Sequence, residues 1–455
     1  MSITTINPST GQPIKTYREM SPDEIRAVIE AVFKAQKDWA GTAFSEREAL
    51  FKEAALVLRK NKREYASLMA QEMGKPLASG GGEVDKCAWV CEYYADHARE
   101  FLTPRKIETA AQNSFVTFEP LGVVLAVMPW NFPFWQVFRF AAPSLMAGNC
   151  GILKHASCTT GAAVAIEDVF IKAGFPKTVF KSIIVSSQNM GAVIENPMIA
   201  AVTLTGSEPA GISVAQRAAA VLKKTVLELG GSDPYVILKD ADLDEAARAC
   251  VAARLLNTGQ TCIAAKRYIV VKDVMEAFEK KVIQEIKKYV VGDPFDPTVT
   301  VGPMVQASLR EELHQQVKKS IALGARCVLG GVIPDGPGFF YPPTLLTHVT
   351  KGMPVFDEET FGPVAVIISA QDEEEAILLA NDTAFGLGAA VFTRDIKKGT
   401  EIASKRLHAG CCFVNEAVKS DPRLPFGGVK KSGYGRELSS FGILEFVNIK
   451  TVYVK

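Results

Sequence analysis

Ile25, Val28, Ile29, Val32 and Phe33 stand three and four positions apart, the spacing that lines one face of a helix. Ser21-Pro22-Asp23-Glu24 supplies the start signal: a hydroxyl at the N-cap, proline at the first position and glutamate three residues on. Ser45-Glu46-Arg47-Glu48 repeats that signature before Leu50 to Leu58. A third helical run, Arg63 to Glu72, is stopped by Met73-Gly74-Lys75-Pro76. A long helix is expected from about Glu83 to Phe101, which makes the first hundred residues mainly helical.

The pattern changes at Ser114. Phe115 to Phe118 alternates like a strand, and from Gly122 strand and helix runs succeed one another. Strands are predicted at Val123–Val127, Gly151–Lys154, Val179–Val185, Ala200–Leu204 and Thr225–Leu229, with helix-length segments between them. After Gly230-Gly231 a second series follows, with strands at Tyr235–Leu238, Tyr268–Val271, Cys327–Leu329, Val364–Ile368, Ala389–Phe392 and Cys412–Val414. Such alternation reads as α/β, two doubly wound lobes meeting near Gly230. Ligands favour a cleft between lobes. Val447–Val454 closes the chain as a lone alternating strand, like Phe115–Phe118. Unpaired edges of that kind invite a second copy.

Composition narrows the function classes. Lys+Arg 51 against Asp+Glu 50 leaves a net charge of +1 over 455 residues, no field to draw nucleic acid or an anionic membrane. No apolar run reaches the ~18 residues of a spanning helix, and Met1 to Thr5 lacks the features of a secretion signal. Nine scattered cysteines and five histidines, with no Cys-x-x-Cys, argue against a metal site and for a reducing, cytoplasmic setting.

Asn257-Thr258-Gly259-Gln260-Thr261-Cys262 then stands out. Gly259 can end the preceding helix by taking a positive φ, leaving Cys262 on a turn before a strand. Two readings are open for it: a covalent nucleophile or a small buried hydrophobe. Glu228 puts a carboxylate in an apolar strand, either as a general base with a raised pKa or as half of an ion pair. Asn131, in Met128-Pro129-Trp130-Asn131-Phe132-Pro133, is either a donor to a developing oxyanion or a turn residue. Gly206-Ser207-Glu208-Pro209-Ala210-Gly211 lacks the Lys-Ser/Thr of a phosphate loop. Yet it opens a helix after a strand, where N–H groups favour an anion.

Together these pieces resemble the aldehyde dehydrogenase superfamily. Trp130-Asn131-Phe132-Pro133, Leu227-Glu228-Leu229-Gly230-Gly231, Gly259-Gln260-Thr261-Cys262, Glu359-Thr360-Phe361-Gly362-Pro363 and Pro425-Phe426-Gly427-Gly428 occur in the family's order and approximate spacing. The resemblance implies an NAD(P)-binding domain (1–101 and 121–230), a catalytic domain (231–430) and a β-strand oligomerisation arm (102–120 and 431–455). It implies Cys262 as nucleophile, Asn131 and the Cys262 N–H as oxyanion donors, and Glu228 as the base for the hydrolytic water. For the cofactor it implies Trp130 and Ser207 by the pyrophosphate, Lys154 by the adenine ribose and Glu359 on the nicotinamide ribose, with Phe361 a further cofactor contact.

Within that family the chain most resembles the succinate-semialdehyde dehydrogenases. NAD-preferring relatives often carry an acid three residues after the Lys154 position, whereas this chain has Ser157. Absence of a repelling acid implies NADP preferred and NAD possible; Ser157 can also cap the following helix. Arg139 matches the arginine that meets the substrate's distal carboxylate, though an internal ion pair is the other reading. Ser420 is the expected second donor, with Trp135 and Phe426 as aromatic walls. Leu256 stands where some relatives have a second arginine, Phe140 where many have a lysine, and Ala264 where some have a redox-active cysteine. The competing expectations are a broader dehydrogenase for ω-carboxylated or aliphatic aldehydes, a coenzyme-A acylating enzyme, and a non-catalytic protein on the same fold. A small-molecule substrate and a homodimer or dimer of dimers complete the expectation.

Overall fold

The Ser21 cap forms as read. In the computed structural model, which describes residues 2–455, the Ser21 hydroxyl accepts from the Glu24 N–H, and the Glu24 carboxylate accepts from the Ser21 N–H at 2.8 Å. The helix it opens, Pro22–Gly41, buries Ile25, Ile29 and Val32. The second helix starts earlier than expected. It runs Phe44–Lys60, and Ala43 caps it without a side-chain bond, so Ser45 is already inside the first turn. Phe44 explains the shift: its ring lies 4.5 Å from the Arg47 guanidinium and 5.5 Å from that of Arg99, and these cation–π contacts hold it in the helix. Helices Lys62–Met73 and Leu77–Phe101 follow. A hairpin of Ser2–Ile6 with Pro13–Arg18 precedes them all; its short strands carry no strong alternation.

Two sheets hold the rest. The first has the order Gly433–Tyr434, Lys224–Glu228, Ile199–Thr205, Val123–Met128, Cys150–His155, Phe180–Ser182, parallel apart from Gly433–Tyr434. The chain leaves Val123–Met128 for one side of the sheet and later crosses to Ile199–Thr205 on the other. That reversal opens a crevice at the carboxyl ends of those strands, the place where such sheets bind ligands. The second sheet runs Arg326–Leu329, Thr344–Thr347, Val364–Ala370, Ala265–Val271, Asp233–Ile237, Gly388–Phe392, Cys411–Val414. Only Arg326–Leu329 is antiparallel in it. Thr344–Thr347 was not expected: four residues after Pro342-Pro343 are too few to show a period.

The strands expected to be alone pair with each other. Val447–Val454 lies antiparallel to Asn113–Pro120 in unbroken register, and Arg105–Lys106 adds a short third strand. The terminal strand thus already has one partner within its own chain, and the premise of two unpaired strands does not hold. Gly433–Tyr434 joins the first sheet instead of this one.

Candidate active site

Three consecutive residues with positive φ deliver Cys262. Gly259 has φ +71° as expected, but Asn257 (+55°) and Thr258 (+58°) share the left-handed region. That conformation costs about 1–2 kcal/mol for a residue with a Cβ, so the turn persists only because its surroundings fix it. The Asn257 amide donates to the Asn131 carbonyl at 2.8 Å, and the Thr258 hydroxyl donates to the Gly302 carbonyl at 3.1 Å. A Cβ on Gly259 would lie 2.2 Å from the Gly362 carbonyl oxygen. Gly259→Ala is therefore expected to lower unfolding stability by at least ~2 kcal/mol and to cut activity by displacing Cys262. An unchanged Tm and kcat would refute this account of the turn.

Lys266 braces the same turn from below. Its buried ammonium donates to the Cys262 carbonyl at 2.6 Å, the Thr261 carbonyl at 3.1 Å and the Glu359 carboxylate at 2.9 Å. Glu359 also accepts from the Gly231 N–H at 3.0 Å, so one side chain ties the lobe crossing to the cysteine turn.

Cys262 is buried and faces Glu228. Burial first, then the Glu228 charge, pushes the thiol well above its ordinary pKa, while Arg139 and Lys266 pull the other way. Burial likewise raises the Glu228 carboxyl, against the attraction of Arg139. Glu228 is thus half of an ion pair and, at the same time, a carboxyl raised by burial. Its Oε2 accepts from Arg139 at 3.1 Å, and its buried Oε1 has no hydrogen-bond partner among the described residues. Arg139 also forms an ion pair with Glu437 at 2.7 Å. Burial pushes that carboxyl up to about 7, with Arg139 opposing and Glu228 adding to the rise.

For Arg139, the structure shows the internal ion pair that stood as the other reading, at a side chain that also lines the aldehyde-side cavity. The guanidinium is 1% exposed and already spans two carboxylates of its own chain; it also donates to Thr205 at 3.3 Å. The internal ion pair is the reading that the side chain adopts.

Asn131 is held by its backbone and one amide hydrogen. Its carbonyl accepts from Lys75 at 2.9 Å as well as from Asn257, and its side-chain amide donates to the Gln260 carbonyl at 3.1 Å. The second amide hydrogen remains available beside Cys262. Lys75 is in turn paired with buried Glu83, whose other oxygen accepts from the Phe134 and Trp135 N–H groups at 2.9 Å. Neither Lys75 nor Glu83 carried a sequence signal, because each lies far along the chain from Asn131.

Two cavities meet at the thiol. One, of about 390 Å³, is lined among others by Trp130, Asn131, Ser207, Glu228, Glu359 and Phe361. The other, of about 290 Å³, is lined among others by Trp135, Arg139, Ser420 and Phe426. Cys262 is the one residue bordering both.

The larger cavity suits a dinucleotide. The helix Glu208–Ala220 points its N-terminus there, and Ser207 at its cap makes no side-chain bond to the first turn, leaving N–H groups free for a pyrophosphate. Trp130 and Phe361 set their rings edge to face, 5.7 Å apart, on its wall. Lys154 and Ser157 are not on that wall, but they lie at the same edge of the sheet, since Met128 and His155 are register partners. Ser157 is exposed and does not cap the helix Thr160–Lys172. Glu72 fills that role, accepting from the Gly161 and Ala162 N–H groups at 2.8 and 3.0 Å.

The Cys262 thiol, the Glu228 carboxyl, the Asn131 amide and the two cavities thus lie together at one place between the sheets. The aldehyde dehydrogenase family model matches residues 1–452. The chain belongs to the aldehyde dehydrogenase family. Among relatives of this aldehyde dehydrogenase is a probable succinate-semialdehyde dehydrogenase [NADP(+)] of Synechocystis sp., 47% identical over 454 residues and all of both chains. A succinate-semialdehyde dehydrogenase [NADP(+)] of Mycolicibacterium paratuberculosis is 46% identical over all of this chain and 97% of its own. Among solved structures, the succinic semialdehyde dehydrogenase from Streptococcus pyogenes in complex with NADP+ superposes with a TM-score of 0.97. It is 38% identical over 99% of each chain. The protein called Gox0499, described for cofactor and substrate selection, reaches a TM-score of 0.98 at 40% identity over both full chains.

Proposed function

We propose that this aldehyde dehydrogenase oxidises succinate semialdehyde to succinate, with NADP preferred and NAD usable. The cavity on the aldehyde side of Cys262 carries the reading. Lys75, Lys86, Arg139 and Lys419 line it with one acid, Glu83; Lys75, Arg139 and Lys419 are paired with carboxylates, and the charge left on Lys86 favours an aldehyde bearing an anion. The full-length relatives named for the same activity support it.

Cys262 releases its proton to solvent and adds as the thiolate to the aldehyde carbon, giving a thiohemiacetal whose oxyanion Asn131 and the Cys262 N–H stabilise. Trp130, Ser207, Glu359 and Phe361 would hold the dinucleotide, which would supply the hydride acceptor. A thioester remains on Cys262, and Glu228 takes a proton from the water that hydrolyses it.

The deciding measurement is a matrix of succinate semialdehyde, glutarate semialdehyde and butanal against NADP and NAD. The highest kcat/KM is expected for succinate semialdehyde with NADP. A flat profile across charged and uncharged aldehydes would favour the broader dehydrogenase. Ser157, exposed beside Lys154, supports the cofactor choice. Ser157→Glu is expected to lower kcat/KM with NADP by about tenfold or more through repulsion of the 2′-phosphate, with NAD turnover retained. Equal loss with both cofactors would overturn this assignment.

The three-stranded sheet supports a homodimer or dimer of dimers. Val447–Val454 forms its open edge and exposes Ile449 and Tyr453, a strand ready to extend into a second copy. The nine free cysteines suit a reducing compartment such as the cytoplasm.

A further inference from the structure

We propose that Lys86 is the cation that receives the distal carboxylate of the substrate, with Ser420 beside it. The inference rests on the semialdehyde reading above and assigns its charge recognition to a residue that no motif marks.

Elimination among the cations of the aldehyde cavity leads there. Lys75 is paired with Glu83 and donates to the Asn131 carbonyl. Arg139 is spanned by Glu228 and Glu437. Lys419 is paired with Glu416 at 3.0 Å. Lys86 makes no ion pair among the described residues, although it lines the same cavity as Cys262. Its ammonium donates to the Ser420 hydroxyl at 2.8 Å and sits 4.4 Å from the centre of the Trp135 ring. An ammonium has three donors, so two remain for a carboxylate. Trp135 steers the head by its π face, and Ser420, whose hydroxyl hydrogen is free to turn, supplies a further donor. Lys86 is partly buried on the helix Leu77–Phe101, whose neighbouring turn carries Glu83. A rigid, half-desolvated cation of this kind binds an anion more strongly than a surface lysine does.

The groups facing Lys86 set its protonation. Burial depresses its pKa to about 8 and the Arg139 charge adds to this, while Cys87, Asp421 and Glu83 oppose. The charge that captures the carboxylate therefore predominates at neutral pH and fades as the ammonium loses its proton above about pH 8.

The test compares succinate semialdehyde with butanal, its uncharged counterpart, in wild type, Lys86→Met, Lys86→Arg and Arg139→Met. Lys86→Met is expected to lower kcat/KM for the semialdehyde about 10- to 100-fold, the effect of one charge-assisted bond, mainly through KM, and to change that for butanal far less. Lys86→Arg should recover part of the loss. Arg139→Met should lower kcat for both aldehydes together, since it releases Glu228. Should Lys86→Met fold poorly, the wild-type profile serves: the semialdehyde-to-butanal ratio of kcat/KM falls above about pH 8. An unchanged ratio in Lys86→Met, a flat wild-type ratio across pH 7 to 9, or a selective semialdehyde defect in Arg139→Met alone would overturn the proposal. A wild type that does not favour the semialdehyde over butanal would instead overturn the substrate reading.

Discussion

Cys262→Ala is expected to lower kcat by about 10⁴-fold or more while leaving the Kd for NADP within a few-fold of wild type. No other thiol can substitute. Cys262 is the one residue shared by the two cavities, and no other cysteine borders either of them. The alanine variant loses the bond-forming atom but keeps Trp130, Ser207, Glu359 and Phe361, which line the cofactor side. Fluorescence titration with NADPH checks binding, and steady-state assay checks turnover. Residual activity above one part in a hundred would mean that the reaction does not pass through this sulfur.

Glu228→Gln is expected to separate the two halves of the reaction. The carboxylate lines the cofactor cavity beside Cys262 and does not line the aldehyde cavity, so water approaching from that side meets it. Without the base, the thioester should persist. A rapid burst of about one equivalent of NADPH per site is expected, followed by turnover slowed by about 10²- to 10⁴-fold. Loss of the burst as well would assign Glu228 to thiol activation too. A steady-state rate within a few-fold of wild type would remove it from the mechanism. The acid limb of the pH profile provides a second reading. Burial raises the Glu228 carboxyl above the usual carboxylate range, and the working form is deprotonated. Wild-type kcat should therefore rise with pH through that elevated pKa, and this limb should vanish in the glutamine variant.

What could be read in the chain and what could not divide along sequence distance. Cys262, Glu228 and Asn131 each lie in a short motif whose local geometry suits the chemistry proposed for it: a glycine turn, a strand end, a proline-stiffened loop. Gly259 was legible because a positive φ leaves a compositional mark, whereas Asn257 and Thr258 adopt the same region without one. Glu437 and Lys86 were not legible. Glu437 meets Arg139 only after the chain has traversed both lobes, and Lys86 reaches Ser420 across 334 positions. No periodicity records such meetings. For Arg139 the resemblance implied a substrate carboxylate and left an internal ion pair as the other reading, whose partners could not be named because they are remote in sequence. The same distance hid the pairing of Asn113–Pro120 with Val447–Val454, each of which looks unpartnered when read locally.

A wall held in common by a single residue also shapes how this enzyme can diverge. Lys86 and Ser420, proposed to choose the aldehyde, line one cavity, whereas Ser157, proposed to choose the cofactor, lies on the wall of neither. Free energies of change at distant sites without common partners add, so a lineage or an engineer can alter one preference without renegotiating the other. The chemistry stays fixed at the junction, and two independent dials surround it.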